Sequence, residues 1–271
     1  MTSFAAALPM YDWPERRAAV DAQWASLRDR LRGMGVDAPD TLARRNADLP
    51  PVPGGIRDTA GRVIAPDPAT LPPDEFDLPT LWRHPALLFA QTCWGPLQAT
   101  GLAAHVVVVG QPDYSGVEGG EGELYSSAIV MRRAEFGGQD VACPSGGSAQ
   151  LPLDLMRGRR LAYNDPHSRS GLLALAADLE AAGEGIDIFS DRVETGGHRL
   201  SIRAVASGLA DLAAIDCLTW RLARQYEPSA ADLAVIGWTG RRKGLPFIAS
   251  RSLAHEVLHA VIETLGQRGE D

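Results

Sequence analysis

The chain is poor in cysteine. Its 271 residues include three, Cys93, Cys143 and Cys217. Their spacings fit neither a zinc ribbon nor a CxxC redox pair, and an odd number excludes a complete disulfide framework. Reduced, structural thiols are expected. A basic excess is missing too: lysine and arginine number 26 against 34 aspartates and glutamates, a formal net charge of −8. Such a chain has no surplus of cations to neutralise a phosphate backbone, so no nucleic-acid partner is expected. A single small anion stays open, because it responds to a local field rather than to net charge. No apolar run approaches the length of a membrane span. The opening segment, MTSFAAALPMYDW, has neither a basic n-region nor a long apolar core. Read as it stands the chain belongs in the cytoplasm, although an exported protein after processing would read the same. There is no exact internal repeat, and no cofactor is expected.

What is present is ordinary for a globular protein: 45% hydrophobic and 22% charged residues. The length suits one large domain or two α/β lobes. The rest is organised around residues 159–171, RRLAYNDPHSRSG. Leu161, Ala162 and Tyr163 read as a strand, which Asn164, Asp165 and Pro166 break. Ser168 and Ser170 then stand where a helix begins, and residues 171–182 are strong helix formers. A helix start carries unpaired N–H groups and partial positive charge, so two hydroxyls and a glycine there suit an oxyanion. An ordinary serine cap is the competing reading.

Taken in order, residues 4–11 predict a first strand. Asp12, Pro14 and Glu15 then mark a helix start. Val20, Trp24, Leu27 and Leu31 fall on one helical face, which Gly33 and Gly35 end. Tyr11 therefore closes a strand, where α/β sheets place ligands. Residues 37–73 read as irregular, with a short helix at 40–45. Residues 78–83 suit a short helix and 87–93 a strand, with Trp94-Gly95-Pro96 turning after it. HVVVVG at 105–110 reads as a strand buried on both sides. A Gly-rich loop at 115–123 and a strand at 125–132 come next. Strands are then expected at 188–194, 212–215, 233–238 and 245–250, and helices at 199–207, 218–225 and 253–265. The 199–207 helix is expected to align Ile202, Val205 and Leu209 on one face. Alternating strands and helices predict α/β layers with mostly parallel sheets.

Ser168 and Ser170 at one helix start, His198 at another and Asp216 closing a strand all stand at carboxyl ends of predicted strands. Hydroxyls, helix N–H groups and an imidazole are donors for a tetrahedral oxyanion. Asp216 is an acceptor and favours an oxyanion that still carries a proton. Its competing reading is a helix cap.

LPMYDWPE at 8–15, NDPHSRSG at 164–171, ETGGHRLSIRAVASG at 194–208 and DLAAIDCLTW at 211–220 together resemble the substrate-binding proteins of phosphate/phosphite/phosphonate ABC transporters. The resemblance implies an α/β, two-lobed type 2 periplasmic-binding-protein fold. Each lobe would be a mostly parallel sheet flanked by helices, with a two-strand hinge at 105–110 and 233–238. The first lobe would comprise residues 1–104 plus 235–271, and the second 105–234. The family's anion loop falls on Ser168, Arg169 and Ser170, its histidine on His198, its late aspartate on Asp216 and its first-lobe aromatic on Tyr11. Arg169 departs from the family's small hydroxyl residue. The implied function is capture of a small oxyanion in the cleft between the lobes for an ABC permease, without catalysis, in the periplasm. A cytoplasmic ligand sensor of the same fold is an alternative.

One motif points elsewhere. His255-Glu256-Val257-Leu258-His259 matches HExxH on a predicted helix, the pattern of a zinc metallohydrolase with Glu256 as general base. The metzincin continuation is absent, since Ala260-Val261-Ile262-Glu263 comes next. A carboxy-terminal helix packing through Val257, Leu258, Val261 and Leu265 explains the same residues without metal, and no metal site is expected.

Overall fold

Buried runs of small and branched residues set the two sheets around which the chain folds. The computed structural model describes residues 4–266. The expected outer bounds, residues 1 and 271, and the first three residues of the opening segment lie outside them. The chain divides into two units, one running to Gln111 and resuming at Leu245, the other from Pro112 to Gly244. Each is taken by itself.

Unit 1 holds a four-stranded sheet in the order Ala5–Ala7, Leu87–Gln91, Phe247–Ser250, Val106–Gly110. The first two strands pair in parallel, and Phe247–Ser250 runs antiparallel to both of its neighbours. The 17-residue helix Arg17–Gly33 buries Val20, Trp24, Leu27 and Leu31 against one face. Trp24 stacks on Phe89 and its indole donates to the Pro39 carbonyl. Gly35 lies just beyond at φ 84°, a conformation that an L-residue reaches only with strain, and the helix ends there. Asp12 does not cap this helix. Its carboxylate accepts from Arg44 at 2.6 Å, and a 3-10 turn at Pro14–Arg16 leads in instead. The opposite face packs Leu81, Trp82, Leu97 and Leu102.

Unit 2 holds a five-stranded sheet in the order Asp191–Glu194, Arg160–Tyr163, Leu212–Asp216, Ser127–Arg132, Leu233–Trp238. The first three strands are parallel to one another, while Ser127–Arg132 is antiparallel to both of its neighbours. Helices Ala174–Ala181, His198–Ala206 and Cys217–Tyr226 come after three of the strands. A small three-stranded sheet joins Arg242–Lys243, Leu124–Tyr125 and Gly120–Glu121. All three cysteines are free, and burial pushes the Cys217 thiol up.

Several expectations are corrected. The mostly parallel sheets expected are each made mixed by one reversed strand, Phe247–Ser250 in unit 1 and Ser127–Arg132 in unit 2, because a strand supplied by a distant part of the chain is not bound to the βαβ crossover that enforces parallel pairing. The chain passes between units at 111/112 and 244/245, later than the 104/105 and 234/235 expected. Val106–Gly110 pairs within unit 1 and Leu233–Trp238 within unit 2, so neither crosses. Val106–Gly110 is an edge strand with Val108 39% exposed, not a doubly covered one. Residues 40–45 are not helical; a 3-10 turn forms at Asn46–Asp48, where the Asp48 carboxylate accepts from the Arg44 and Arg45 N–H groups. Trp94–Ala99 is a helix, with Pro96 tolerated in its first turn. Leu209 lies beyond the end of His198–Ala206 and is exposed, while Ile202 and Val205 are buried.

One carboxylate ties the amino ends of two parallel strands in unit 2 to the carboxyl end of Ser127–Arg132. Asp211 accepts from the Arg160 backbone and guanidinium and from Arg132, at 2.7–3.0 Å. These hydrogen bonds outweigh burial and hold its carboxyl well below the usual range. Asp211→Asn is expected to cost about 2 kcal/mol, the scale of a hydrogen bond to a charged group, reduced by the exposure of Arg160. Urea unfolding should show a lower midpoint at unchanged slope.

Candidate functional site

Three parallel strands in unit 2 end at one edge of the sheet, and each leads into a polar turn. After Arg160–Tyr163, the Asp165 side chain accepts from the His167 N–H and the chain turns into Ser168. Ser168 caps a π-helical turn, Arg169–Leu173, that runs into Ala174–Ala181. Its hydroxyl accepts from the Gly171 N–H at 3.1 Å. Gly171 allows this approach, since a Cβ there would stand 2.9 Å from the Ser168 Oγ and 3.0 Å from the Asn164 Oδ1. After Asp191–Glu194, Thr195 and Gly196 donate to the Tyr163 and Asn164 carbonyls, which binds the two turns together. His198 opens its helix. Asp216 ends Leu212–Asp216 and caps Cys217–Tyr226, its Oδ1 accepting from the Thr219 N–H at 2.9 Å.

Three of the expected residues converge. The His198 Nε2 lies 2.7 Å from the Ser170 Oγ and 3.4 Å from the Asp216 Oδ2. Ser168, Ser170 and Asp216 are buried, and the His198 side chain is 10% exposed. Arg169 is the first residue of the π-helical turn and is half-buried. Tyr11 belongs to unit 1, where it is buried beyond the Ala5–Ala7 strand. The capping reading of Ser168 and of Asp216 holds as local structure. The Asp216 Oδ2, the oxygen not used in the cap, is the one that lies toward the His198 Nε2.

The same edge gathers residues not singled out from the sequence. The Ser127 hydroxyl donates to the Ser170 carbonyl at 3.0 Å, and its N–H donates to the Thr239 Oγ1 at 2.8 Å. A pair of serines opening the apolar run YSSAIVMR was the available signal.

Burial pushes the His198 pKa down. The Asp216 and Asp165 carboxylates and the Ala214 carbonyl oppose this without reversing it. A histidine depressed in the folded state supports stability fully above its unfolded value, about 6.5, and that support is lost as pH falls from there toward the folded value. An anion held against His198 would favour imidazolium, so its binding would take up protons and strengthen as pH falls toward the depressed value. His198→Ala is expected to flatten the affinity profile between about pH 5 and 8. Calorimetry with an alkylphosphonate in buffers of different ionisation enthalpy checks this, and an unchanged proton uptake would remove His198 from the site.

The HExxH residues are placed differently. His255, Glu256 and His259 are exposed on the helix His255–Gly266, and the His259 Nδ1 lies 3.6 Å from the Glu263 Oε2. Val257, Leu258, Val261 and Leu265 face the unit 1 core. Among the described residues no group of three His, Cys, Asp or Glu side chains is arranged to hold a metal, and no helix is long and apolar enough to cross a membrane.

The family model described as ABC transporter, phosphonate, periplasmic substrate-binding protein matches residues 95–271. The chain belongs to that family. No curated protein sequence matches it. Among solved structures it resembles PhnD1 of Prochlorococcus marinus (MIT 9301), determined in complex with methylphosphonate. The TM-score is 0.60 at 15% identity, over 98% of this chain and 82% of that one. It also resembles a binding-protein component of an ABC phosphonate transporter from Pseudomonas aeruginosa, with TM-score 0.61 and 16% identity over 100% and 76% of the two chains. A Xanthomonas citri protein bound to chloride ion gives 0.59 and 13% over 99% and 84%. At these identities the likeness establishes the fold, that of the type 2 periplasmic binding proteins.

Proposed function

We propose that unit 2 binds a small phosphorus oxyanion carrying one proton, of the phosphonate, phosphite or phosphate class, at Ser168, Arg169, Ser170, His198 and Asp216. The chain then hands the ligand unchanged to the permease of an ABC importer, working in the periplasm, and Tyr11 of unit 1 is a further ligand contact. The observation that carries this reading is the meeting of the Ser170 Oγ, His198 Nε2 and Asp216 Oδ2 from three strand ends. Hydroxyls and a helix start donate to the oxyanion, and the aspartate accepts the proton of its P–OH group. A carboxylate in an anion site repels a fully deprotonated ligand, so the ligand's own proton is part of the fit. Family membership supports the transport role.

A thermal-shift screen over methylphosphonate, phosphite, phosphate and sulfate tests the reading. A ligand at 100 times its Kd stabilises by about 2.7 kcal/mol. At least one phosphorus oxyanion should raise the Tm and sulfate should not. A flat response to all four would sink the proposal. Phosphorus NMR of the ligand after incubation should show it intact, and a hydrolysis product would make the protein an enzyme. Cell fractionation of the native protein decides the compartment, and recovery in the cytosol would favour a sensor.

A further inference from the structure

We propose that Asp178 and Arg242 are positioning residues for the anion turn, fixing the helix behind Ser168–Ser170 to the segment through which the chain leaves unit 2. This rests on the reading that the turn holds the anion. Asp178 lies on Ala174–Ala181, the direct continuation of the π-helical turn. Its neighbours Leu175 and Leu179 are buried in the core. A carboxylate on such a face costs free energy unless it is paired and hydrogen-bonded. Asp178 is both: it accepts from the Gly240 N–H at 2.9 Å and from the Arg242 guanidinium at 3.1 and 2.5 Å. This is a two-pronged fork, the geometry that fixes orientation as well as charge. Arg242 is held in turn by the Gly240 carbonyl at 2.6 Å and by strand pairing with Tyr125.

The helix start is anchored to the same segment. The Ser170 carbonyl accepts from Ser127, and Ser127 exchanges two hydrogen bonds with Thr239, at 2.8 and 2.9 Å. One short stretch, residues 239–242, therefore holds the helix through Ser127 at Ser170 and directly about two turns further on. Two grips on one helix fix its axis, and hence where the serine hydroxyls stand. With the far grip removed, the helix is held by the Ser170 anchor and by the non-directional packing of Leu175 and Leu179, which leaves its axis less closely fixed. Hydroxyl placement has to be good to a few tenths of an ångström for a short hydrogen bond to an oxyanion. Removing a carboxylate that only supported the fold would lower global stability and leave the turn as ordered as the rest of unit 2.

Amide hydrogen exchange on the full ligand-free chain separates these cases. Peptides covering residues 168–173 and 212–216 are compared in the wild type, Asp178→Asn and Arg242→Lys. Asp178→Asn is expected to speed exchange in 168–173 at least tenfold beyond any change in 212–216, since exchange reports local opening. Arg242→Lys keeps the charge but loses the fork, and should shift 168–173 in the same direction by less. It carries the test by itself if Asp178→Asn does not fold. Affinity for methylphosphonate should fall about tenfold in Asp178→Asn. Exchange in 168–173 that tracks 212–216 in both variants overturns the positioning role. Wild-type binding by Ser170→Ala would instead remove the anion reading, leaving the exchange result to decide whether Asp178 orders the turn.

Discussion

Alanine at both Ser168 and Ser170 is expected to abolish most anion binding while circular dichroism stays that of the wild type. The two hydroxyls act differently in the unliganded protein. Ser168 caps the π-helical turn through Gly171, so its loss costs about 0.5–2 kcal/mol of stability whatever else it does. Ser170 meets the His198 Nε2 at 2.7 Å, so its loss leaves a buried imidazole short of a partner. For a bound anion, each missing hydroxyl removes a hydrogen bond to a charged oxygen, worth about 1.5–3 kcal/mol, or roughly 10- to 150-fold in affinity. The double variant combines the losses, with some coupling because the residues share one turn. Calorimetry with methylphosphonate decides. Wild-type affinity in both single variants would reduce the turn to a helix cap and put the ligand elsewhere.

Asp216→Asn should change which anions bind. On the proposed reading a protonated phosphonate gives its P–OH hydrogen to Asp216 in the wild type, whereas sulfate at neutral pH has no hydrogen to give and would set an oxygen against the carboxylate. Sites built to hydrogen-bond a hydroxyl reject analogues lacking it by roughly 10⁴- to 10⁵-fold. Asparagine keeps an acceptor for the Thr219 N–H, so Cys217–Tyr226 stays capped. It also turns the repelling oxygen into an amide donor. Methylphosphonate affinity should fall about 10- to 100-fold, since a favourable contact is lost, and sulfate affinity rise at least tenfold, since an unfavourable contact is replaced by a favourable one. The loss of the carboxylate also removes the charge that pulls the His198 pKa up, so the pH profile should move lower. An unchanged ratio of the two affinities would separate Asp216 from the ligand and leave it a cap.

Glu227 makes a contrasting case, in which a buried charge braces two segments of unit 2. Burial pushes its carboxyl up, but hydrogen bonds from Arg199, Arg203 and Ser229 bring it down to about 2. Its contribution to stability is fully present above the unfolded value, about 4.3, and is lost as pH falls from there toward the folded value. None of this is legible in residue order, because Arg199 and Glu227 stand on different segments and only the fold sets Oε2 2.7 Å from the guanidinium.

Features that depend on near neighbours were legible from residue order alone. The stripe Val20, Trp24, Leu27, Leu31 specifies a helix face, because helical periodicity is local. Asn164-Asp165-Pro166 breaks a strand, and Ser168 caps the next helical turn, because turn and cap chemistry reach only two or three residues. The α/β class comes from the alternation of such segments, and the family motifs keep their order along the chain. Features that depend on distant partners were not legible. Strand direction in Ser127–Arg132 and Leu233–Trp238, and the points where the chain passes between units, are set by pairing across long loops that no local pattern encodes. His255 and His259 match a metal motif in spacing, yet packing turns Val257 and Val261 inward and leaves the histidines in solvent. Ser127, Thr239, Asp178 and Arg242 look like ordinary polar residues of a strand, a loop and a helix. Only the tertiary structure brings them to the Ser168–Ser170 turn and the helix behind it, because a hydrogen bond acts over about 3 Å of space regardless of how much chain lies between its ends.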